Sequence, residues 1–274
     1  MIKSIFSSII VLFTCSLFSQ KVVSGSIVDS ETNETIPYVN IGILKQSLGT
    51  VSNEAGKFEF EVQDDFMNDT IRVSSIGYKT ISLVATDFIK TLEANTVLAL
   101  TADVTELAEV TITARELKEK VLGNKTKSKS LNLGFSVIEL GNELGTKINI
   151  KHKPTFLKSF NTHIIKNTNT SLKYRLNIYS IKNGLPDKKI VNENIIFPID
   201  VEKGDFSLNL EPYRILVEDD IYITIELIET PNEDDDINFS ASLFGHAMII
   251  RPTSQAEWEK AGTIGVGFNC TVKY

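Results

Sequence analysis

The feature that most constrains this fold is a succession of short β-rich runs, separated by turn residues, with almost no helical periodicity. Polar and apolar residues alternate in the run KFEFEV, which places Phe58, Phe60 and Val62 on one face of a strand. The other runs of the first half lie at residues 21–28, 36–44, 70–76, 79–84, 96–100 and 110–113. Short strands at this spacing predict a β-sandwich of about seven strands.

A second β-rich region begins near residue 131 and continues to the end of the sequence. A strong turn, NGLPD, separates two of its runs, and the glycine-rich stretch GTIGVG indicates a strand packed close to another backbone. Further runs lie at residues 147–151, 173–179, 193–199, 205–210, 221–228, 239–244, 247–251 and 263–274. Eight or more strands predict a jelly-roll-like sandwich. We therefore expect an all-β protein made of two β-sandwiches.

One segment between these regions departs from the pattern. Residues 114–122 carry charged side chains on one side and are followed by Gly123 and Asn124, which predicts a short helix that ends there. The stretch KTKSKS after it predicts a solvated linker. The expected organisation is a first sandwich at 21–114, a helix and linker at 115–130, and a second sandwich at 131–274.

The first twenty residues resemble a secretory signal peptide. A positive start at Lys3 is followed by an apolar run at 5–13 and by small residues up to Ser19, so residues 1–20 are predicted to be removed. The run is shorter than the about 20 residues that span a bilayer. A buried strand, a membrane anchor and lipidation at Cys15 are the alternatives. No later apolar run reaches 18 residues, so no transmembrane segment is expected in the mature chain.

Charge and cysteine content exclude several classes of protein. The net charge is -7, and a phosphate backbone repels an acidic surface, which argues against nucleic-acid binding. After signal cleavage the remaining cysteine is Cys270, so no internal disulfide is expected. Its position in an alternating run predicts a buried, unreactive thiol.

Several motifs of the first half occur in the order found in one known domain family. They are IVD at 27–29, IPYVNI at 36–41, GTVSNEAGKF at 49–58, SSIGYK at 74–79 and LAEVTITA at 107–114. Residues 22–114 resemble the carboxypeptidase-like regulatory domain, which also stands at the N-terminus of TonB-dependent outer-membrane receptors. The resemblance implies a seven-stranded sandwich of the transthyretin (prealbumin) type and an accessory module without peptidase activity. The second half resembles only uncharacterised β-sandwich domains.

The sequence shows no recognised catalytic pattern. It lacks the HExxH, GxSxG and P-loop motifs, and its histidines, His152, His163 and His246, do not have metal-ligand spacing. The acidic loop at 232–236 could hold calcium, although it lacks the spacing of an EF-hand. We expect no catalytic residue, no resident metal and no cofactor.

Trp258 is the one candidate ligand-binding residue, because it lies in a polar segment and aromatic faces stack on sugar rings. Packing as a loop anchor is the alternative role for its ring. The expected protein is a non-catalytic accessory or binding protein, exported to the periplasm or outer surface of a Gram-negative cell. Its expected partner is an envelope protein or a glycan. The alternatives are a carbohydrate-binding protein that serves polysaccharide uptake and an uncharacterised hydrolase.

Overall fold

The computed structural model describes residues 20–103, 117–135, 138–244 and 248–274. These residues form 22 β-strands, one α-helix and two short 3-10 turns, so the expected all-β class is confirmed. Residues 1–19 of the predicted signal peptide, the predicted strand at 110–113 and His246 lie outside the described residues. No helix in the described part of the chain is long and apolar enough to cross a membrane.

The N-terminal unit is a sandwich of seven described strands in two sheets. Phe58, Phe60 and Val62 all point into its core, as the alternation predicts. The strands are β1 (Gln20–Asp29), β2 (Asn40–Ile43), β3 (Gly49–Val51), β4 (Lys57–Gln63), β5 (Thr70–Ser74), β6 (Ile81–Val84) and β7 (Val97–Leu100). One sheet has the order β4-β1-β7 and the other the order β3-β2-β5-β6.

Helix α1 (Ala85–Ala94) was not expected from the sequence. Its buried residues are Ala85, Phe88, Ile89 and Leu92, a spacing of three and four that forms one apolar stripe. Phe88 packs against Phe58 with ring centroids 6.4 Å apart. The helix is short and lacks a side-chain N-cap, so its packing on the sandwich core, rather than a start signal, stabilises it.

The C-terminal unit is a larger sandwich with one extensive apolar core, to which Phe160, Phe239 and Phe268 contribute edge-to-face contacts. Its strands are β8 (Glu119–Gly123), β9 (Asn132–Leu133), β10 (Glu143–Ile148), β11 (Thr155–Asn167), β12 (Lys173–Lys182), β13 (Leu185–Lys189), β14 (Ile195–Pro198), β15 (Gly204–Asn209), β16 (Leu216–Val217), β17 (Ile221–Leu227), β18 (Ile237–Leu243), β19 (Met248–Arg251), β20 (Glu259–Ala261), β21 (Ile264–Val266) and β22 (Phe268–Lys273). One sheet has the order β13-β12-β17-β10-β19-β20, with β14 beside β12. The other has the order β21-β18-β11-β22-β8, with β15 and β16 beside β11 and β9 beside β18.

The predicted short helix at 114–122 is wrong over the residues that the structure describes. Residues 119–123 form β8, an edge strand that pairs antiparallel with β22 from Glu119 opposite Lys273 to Gly123 opposite Asn269. The charged pattern here fits a helix surface, but backbone pairing with a free sheet edge outweighs weak helix propensity. Residues 114–116 lie outside the described part.

The two sandwiches pack directly against each other. Tyr38 and Val51 from the N-terminal unit form an apolar cluster with Ile228. The backbone of the β2–β3 hairpin approaches the C-terminal unit so closely that a Cβ added at Gly42 or Gly49 would lie 2.4 or 2.5 Å from the carbonyl oxygen of Ser254. Contacts this close place polar residues of both units in one shared interface.

Candidate functional site

The site is built on a row of four charged residues that crosses the outer face of the C-terminal sheet. Arg175 on β12 lies opposite Glu226 on β17, Glu226 lies opposite Glu143 on β10, and Glu143 lies opposite Arg251 on β19. Because side chains alternate along a strand, their apolar neighbours point into the core while these four point outward. The sequence pattern predicts a solvent-exposed polar face, but Arg175 is 1% exposed and both glutamates are fully buried.

Arg175 and Glu226 form a bidentate ion pair at one end of this row. The Nε and Nη2 atoms of Arg175 donate to the two carboxylate oxygens of Glu226 at 2.9 and 2.8 Å. Two parallel bonds of this kind fix the relative orientation of both groups.

Glu143 and Arg251 form the second pair of the row. Arg251 Nη2 donates to Glu143 Oε2 at 2.5 Å, and Thr224 donates its hydroxyl proton to the same carboxylate. The Asn177 amide donates to Glu143 at 2.9 Å and to Glu226 at 2.6 Å. Two carboxylates opposite each other would repel, so the flanking arginines and the bridging amide hold them together.

The N-terminal unit completes this network through Asn40 on β2. The Asn40 side chain accepts a bond of 2.6 Å from Arg175 Nη2 and donates to Glu226 and, at 2.8 Å, to Ser254 Oγ. Arg175 Nη1 also donates to the Tyr38 carbonyl oxygen at 2.7 Å. A residue of one sandwich therefore satisfies a buried ion pair of the other.

Electrostatics keep Glu226 ionised. Burial alone would raise the pKa of Glu226, but the charges of Arg175 and Lys189 and the Arg175 hydrogen bonds lower that pKa well below its usual value. Burial and the nearby Glu143 carboxylate raise the pKa of Tyr179 well above 10.0. Glu226 is thus a fixed anion with saturated hydrogen bonds, which makes it a poor proton donor for catalysis.

A cleft lies beside this row, between the two sandwiches. Its volume is about 820 Å³, which is within the usual range for small-molecule sites. The N-terminal unit contributes Arg72, Ser75 and Asp103 among other residues, and the C-terminal unit contributes Lys189 and Arg251. The cleft therefore exists only where the two sandwiches meet.

Lys189 connects the cleft to the buried row. Its side chain is 23% exposed, and its Nζ atom lies 3.9 Å from Glu226 Oε2. Burial and the positive charge of Arg175 lower the pKa of Lys189 to about 8, against the opposing effect of Glu226. A cationic amine at neutral pH therefore becomes largely neutral above pH 8.

The N-terminal unit matches a known domain family. Residues 23–112 match the family model described as the CarboxypepD_reg-like domain. The N-terminal sandwich is a carboxypeptidase regulatory-like domain. The match does not extend into the C-terminal sandwich, and no curated protein matches the chain.

Two solved structures resemble the whole chain weakly. One is the crystal structure of the cysteine protease and lectin-like domains of Cwp84, a surface layer associated protein of Clostridium difficile, with a TM-score of 0.43 and 8% identity over 93% of this chain. The other is the structure of infectious bursal disease virus Gx strain, with a TM-score of 0.26 and 10% identity over 92% of this chain. The chain spans 58% of the length of each.

Trp258, the residue singled out from the sequence, lies near the cleft but does not line it. Arg251 stacks on its ring with the guanidinium carbon 4.6 Å from the ring centroid, and Tyr179 meets it edge-on at 5.4 Å. The ring is partly buried against the outer face of the C-terminal sheet. Its sugar-binding role stays a prediction, and its observed contacts hold Arg251 in place.

The other residues considered from the sequence do not converge. His152 stacks on Tyr274, and His163 contacts Asp205 at 2.7 Å. Cys270 is buried in the core, where burial raises its thiol pKa to about 12. In the acidic loop, Asp235 accepts hydrogen bonds from neighbouring asparagines. Among the described residues no three His, Cys, Asp or Glu side chains form a group that could hold a metal ion.

The residues that make the site were not identified from the sequence. Asn40 lies in the IPYVNI motif of the regulatory-like domain, where it was noted only as part of the resemblance. Arg175 and Glu226 each stand at the polar positions of alternating strands, a pattern shared with any exposed sheet face. The sequence does carry one signal, because the run around Arg175 and the run around Glu226 place side chains of opposite charge at polar positions. Only the pairing register of the two strands shows that these two side chains meet.

Proposed function

We propose that this is a non-catalytic binding protein of the cell envelope whose ligand occupies the cleft between the regulatory-like domain and the C-terminal sandwich. The observation that carries the proposal is that both domains line one cleft and share the buried network beside it. The regulatory-like domain then acts as an accessory module that forms one wall of the site. Export through the segment at 1–20 belongs to the same proposal.

The hydrogen bonding of the buried charged row supports a protein that binds its ligand without catalysing a reaction. Its carboxylates are saturated with hydrogen bonds, and Glu226 is held ionised, so it is not set up as a general acid. A hydrolase would instead pair an accessible acid or base with a nucleophile beside the substrate.

Ligand screening with a cleft-filling variant tests this proposal. Asn192 is exposed and lines the cleft, so Asn192→Trp should block it. Asn68→Trp is the control, because Asn68 lies in an exposed loop of the N-terminal domain and does not line the cleft. A saccharide and peptide library is screened by thermal shift. Ligands that stabilise the wild type and Asn68→Trp, but not Asn192→Trp, are expected.

Two results would overturn the proposal. One is multiple turnover of any peptide or glycan by the purified protein. The other is a set of ligands that bind Asn192→Trp as well as they bind the wild type.

Carbohydrate binding is the second candidate, and the position of Trp258 favours it. The ring is partly exposed and contacts Arg251, which itself lines the cleft. Loss of glycan-array binding in Trp258→Leu, whose side chain keeps apolar bulk but cannot stack on a sugar ring, is the expected result. Unchanged glycan binding in that variant would show that the Trp258 ring does not bind the glycan.

A further inference from the structure

The cleft collects buried polar atoms that lack partners. Among the described residues, six buried side-chain nitrogen or oxygen atoms make no hydrogen bond, and three of them belong to cleft-lining residues: Arg72 Nε, Ser75 Oγ and Arg251 Nε. Buried polar groups in native proteins are nearly always hydrogen-bonded, and each exception needs an explanation such as a bound water or ion. A shared ligand would account for three exceptions together.

Arg72 is the clearest case of a lining residue without a partner in the described residues. It stands on β5 opposite Gly42 and Ser82, on the polar side of a strand whose Ile71 and Val73 are in the core. Within the described residues its guanidinium makes neither a hydrogen bond nor an ion pair. Arg175, by contrast, donates five hydrogen bonds.

The charge of the cleft differs from that of the whole protein. Its lining includes four basic residues, namely Arg72, Lys188, Lys189 and Arg251, and two acidic residues, namely Asp103 and Asp187. The chain as a whole carries -7. Arg251 is paired with Glu143 and Lys189 lies 3.9 Å from Glu226, whereas Arg72 and Lys188 make no ion pair within the described residues. Cations without a partner raise the local concentration of anions in the cleft.

From these observations we infer that the cleft binds an oxyanion, the carboxylate, sulfate or phosphate group of a small molecule. Arg72 donates through its unpaired guanidinium, Lys189 supplies charge, and Ser75 and Arg251 line the same cleft. Guanidinium groups suit this role because their donors match the geometry of carboxylate and phosphate oxygens. This inference rests on the proposed function, since it names the ligand class for the same cleft.

Titration calorimetry with sodium sulfate against sodium chloride, at constant ionic strength and pH 7, is the first test. Arg72→Gln is the informative variant, because Arg72 has no partner in the described residues that its removal would strand. Arg214→Gln is the matched control, since Arg214 is exposed and does not line the cleft. We expect sulfate to bind the wild type and Arg214→Gln equally and to bind Arg72→Gln at least about tenfold more weakly.

Organic probes then identify the source of the anion. Glucuronate carries a carboxylate, glucose 6-phosphate carries a phosphate, and glucose is the neutral reference. Binding of either charged sugar with the same dependence on Arg72 supports the inference and assigns the anion type. Wild-type sulfate affinity in Arg72→Gln, or sulfate binding no stronger than that of chloride, would overturn it. If glucose binds in the cleft while no anion does, the oxyanion inference fails and the proposed binding role survives.

Discussion

Single charged residues on the outer face of the C-terminal sheet are buried and depend on their partners. Arg175 and Glu226 lie beneath the N-terminal unit, where Asn40 and the Tyr38 carbonyl oxygen contact them. Both side chains are almost fully buried, so each charge depends on its partner. Glu143 and Arg251 continue the row within the C-terminal sheet.

Removing one partner of the buried pair should be costly. Arg175→Met leaves Glu226 charged and buried without its bidentate partner, and we expect the free energy of unfolding to fall by about 3–5 kcal/mol. Lys147→Met is the control, because its ion pair with Asp220 is partly exposed and is worth less than about 1 kcal/mol. Urea unfolding followed by fluorescence measures both. A loss below about 1 kcal/mol in Arg175→Met would contradict the description of this pair.

Lys189 gives the cleft a pH dependence. Its pKa is lowered to about 8, so the amine is charged below that pH and neutral above it. Sulfate affinity should therefore fall several-fold as the pH rises from 7 to 9. Lys189→Arg, which stays charged, should bind sulfate with nearly constant affinity over that range.

Glu226 and Arg251, two of the charges near Lys189, do not titrate in this window. The groups that act on the Lys189 amine are Arg175, Arg251, Glu226 and Glu143. The pKa of Glu226 is lowered and that of Arg251 raised, so both keep their charge from pH 7 to 9. The same fall in affinity in Lys189→Arg would show that another group is responsible.

At the scale of elements, the β2–β3 hairpin is the part of the regulatory-like domain that docks. Gly42 and Gly49 lie against the carbonyl oxygen of Ser254, and Thr253 donates to the Gly49 carbonyl oxygen at 3.1 Å. A hairpin with any side chain at these positions could not approach as closely. The family motif that surrounds Gly49 therefore has a packing role in this protein.

A methyl group on this hairpin should disturb docking. Gly42→Ala would place its Cβ 2.4 Å from the Ser254 carbonyl oxygen, and we expect a loss of about 1–3 kcal/mol in stability with faster hydrogen exchange at 251–256. Ser47→Ala, in the exposed turn of the same hairpin, should change neither quantity. Unchanged exchange at 251–256 in Gly42→Ala would show that the contact does not support docking.

Some strands and helices of this protein can be predicted from the sequence, and others cannot. Strands with strict alternation, such as β4, follow directly from their pattern, because burial of one face is a local property. Helix α1 and strand β8 do not, because each is fixed by what it packs against: α1 by the sandwich core, and β8 by the open edge of β22. The site is harder still, since the row joins four strands and depends on their register.

At the scale of the whole molecule, the two sandwiches behave as one structural unit. Asn40 links them by bonding to Arg175, Glu226 and Ser254 at once, and an apolar cluster around Tyr38 and Ile228 lies in the same interface. Because Asn40 and the Tyr38 carbonyl group of one sandwich bond to the buried Arg175–Glu226 pair of the other, neither should be fully stable alone. The cleft and its proposed ligand site exist only in this docked arrangement.

Scanning calorimetry of the intact protein and of Asn40→Ala tests this arrangement most directly. We expect a single cooperative transition for the wild type, and for Asn40→Ala a lower midpoint with two separate transitions, since the interface loses its shared bonds. Two transitions already present in the wild type, each unchanged in midpoint by Asn40→Ala, would show that the two sandwiches do not form a single unit.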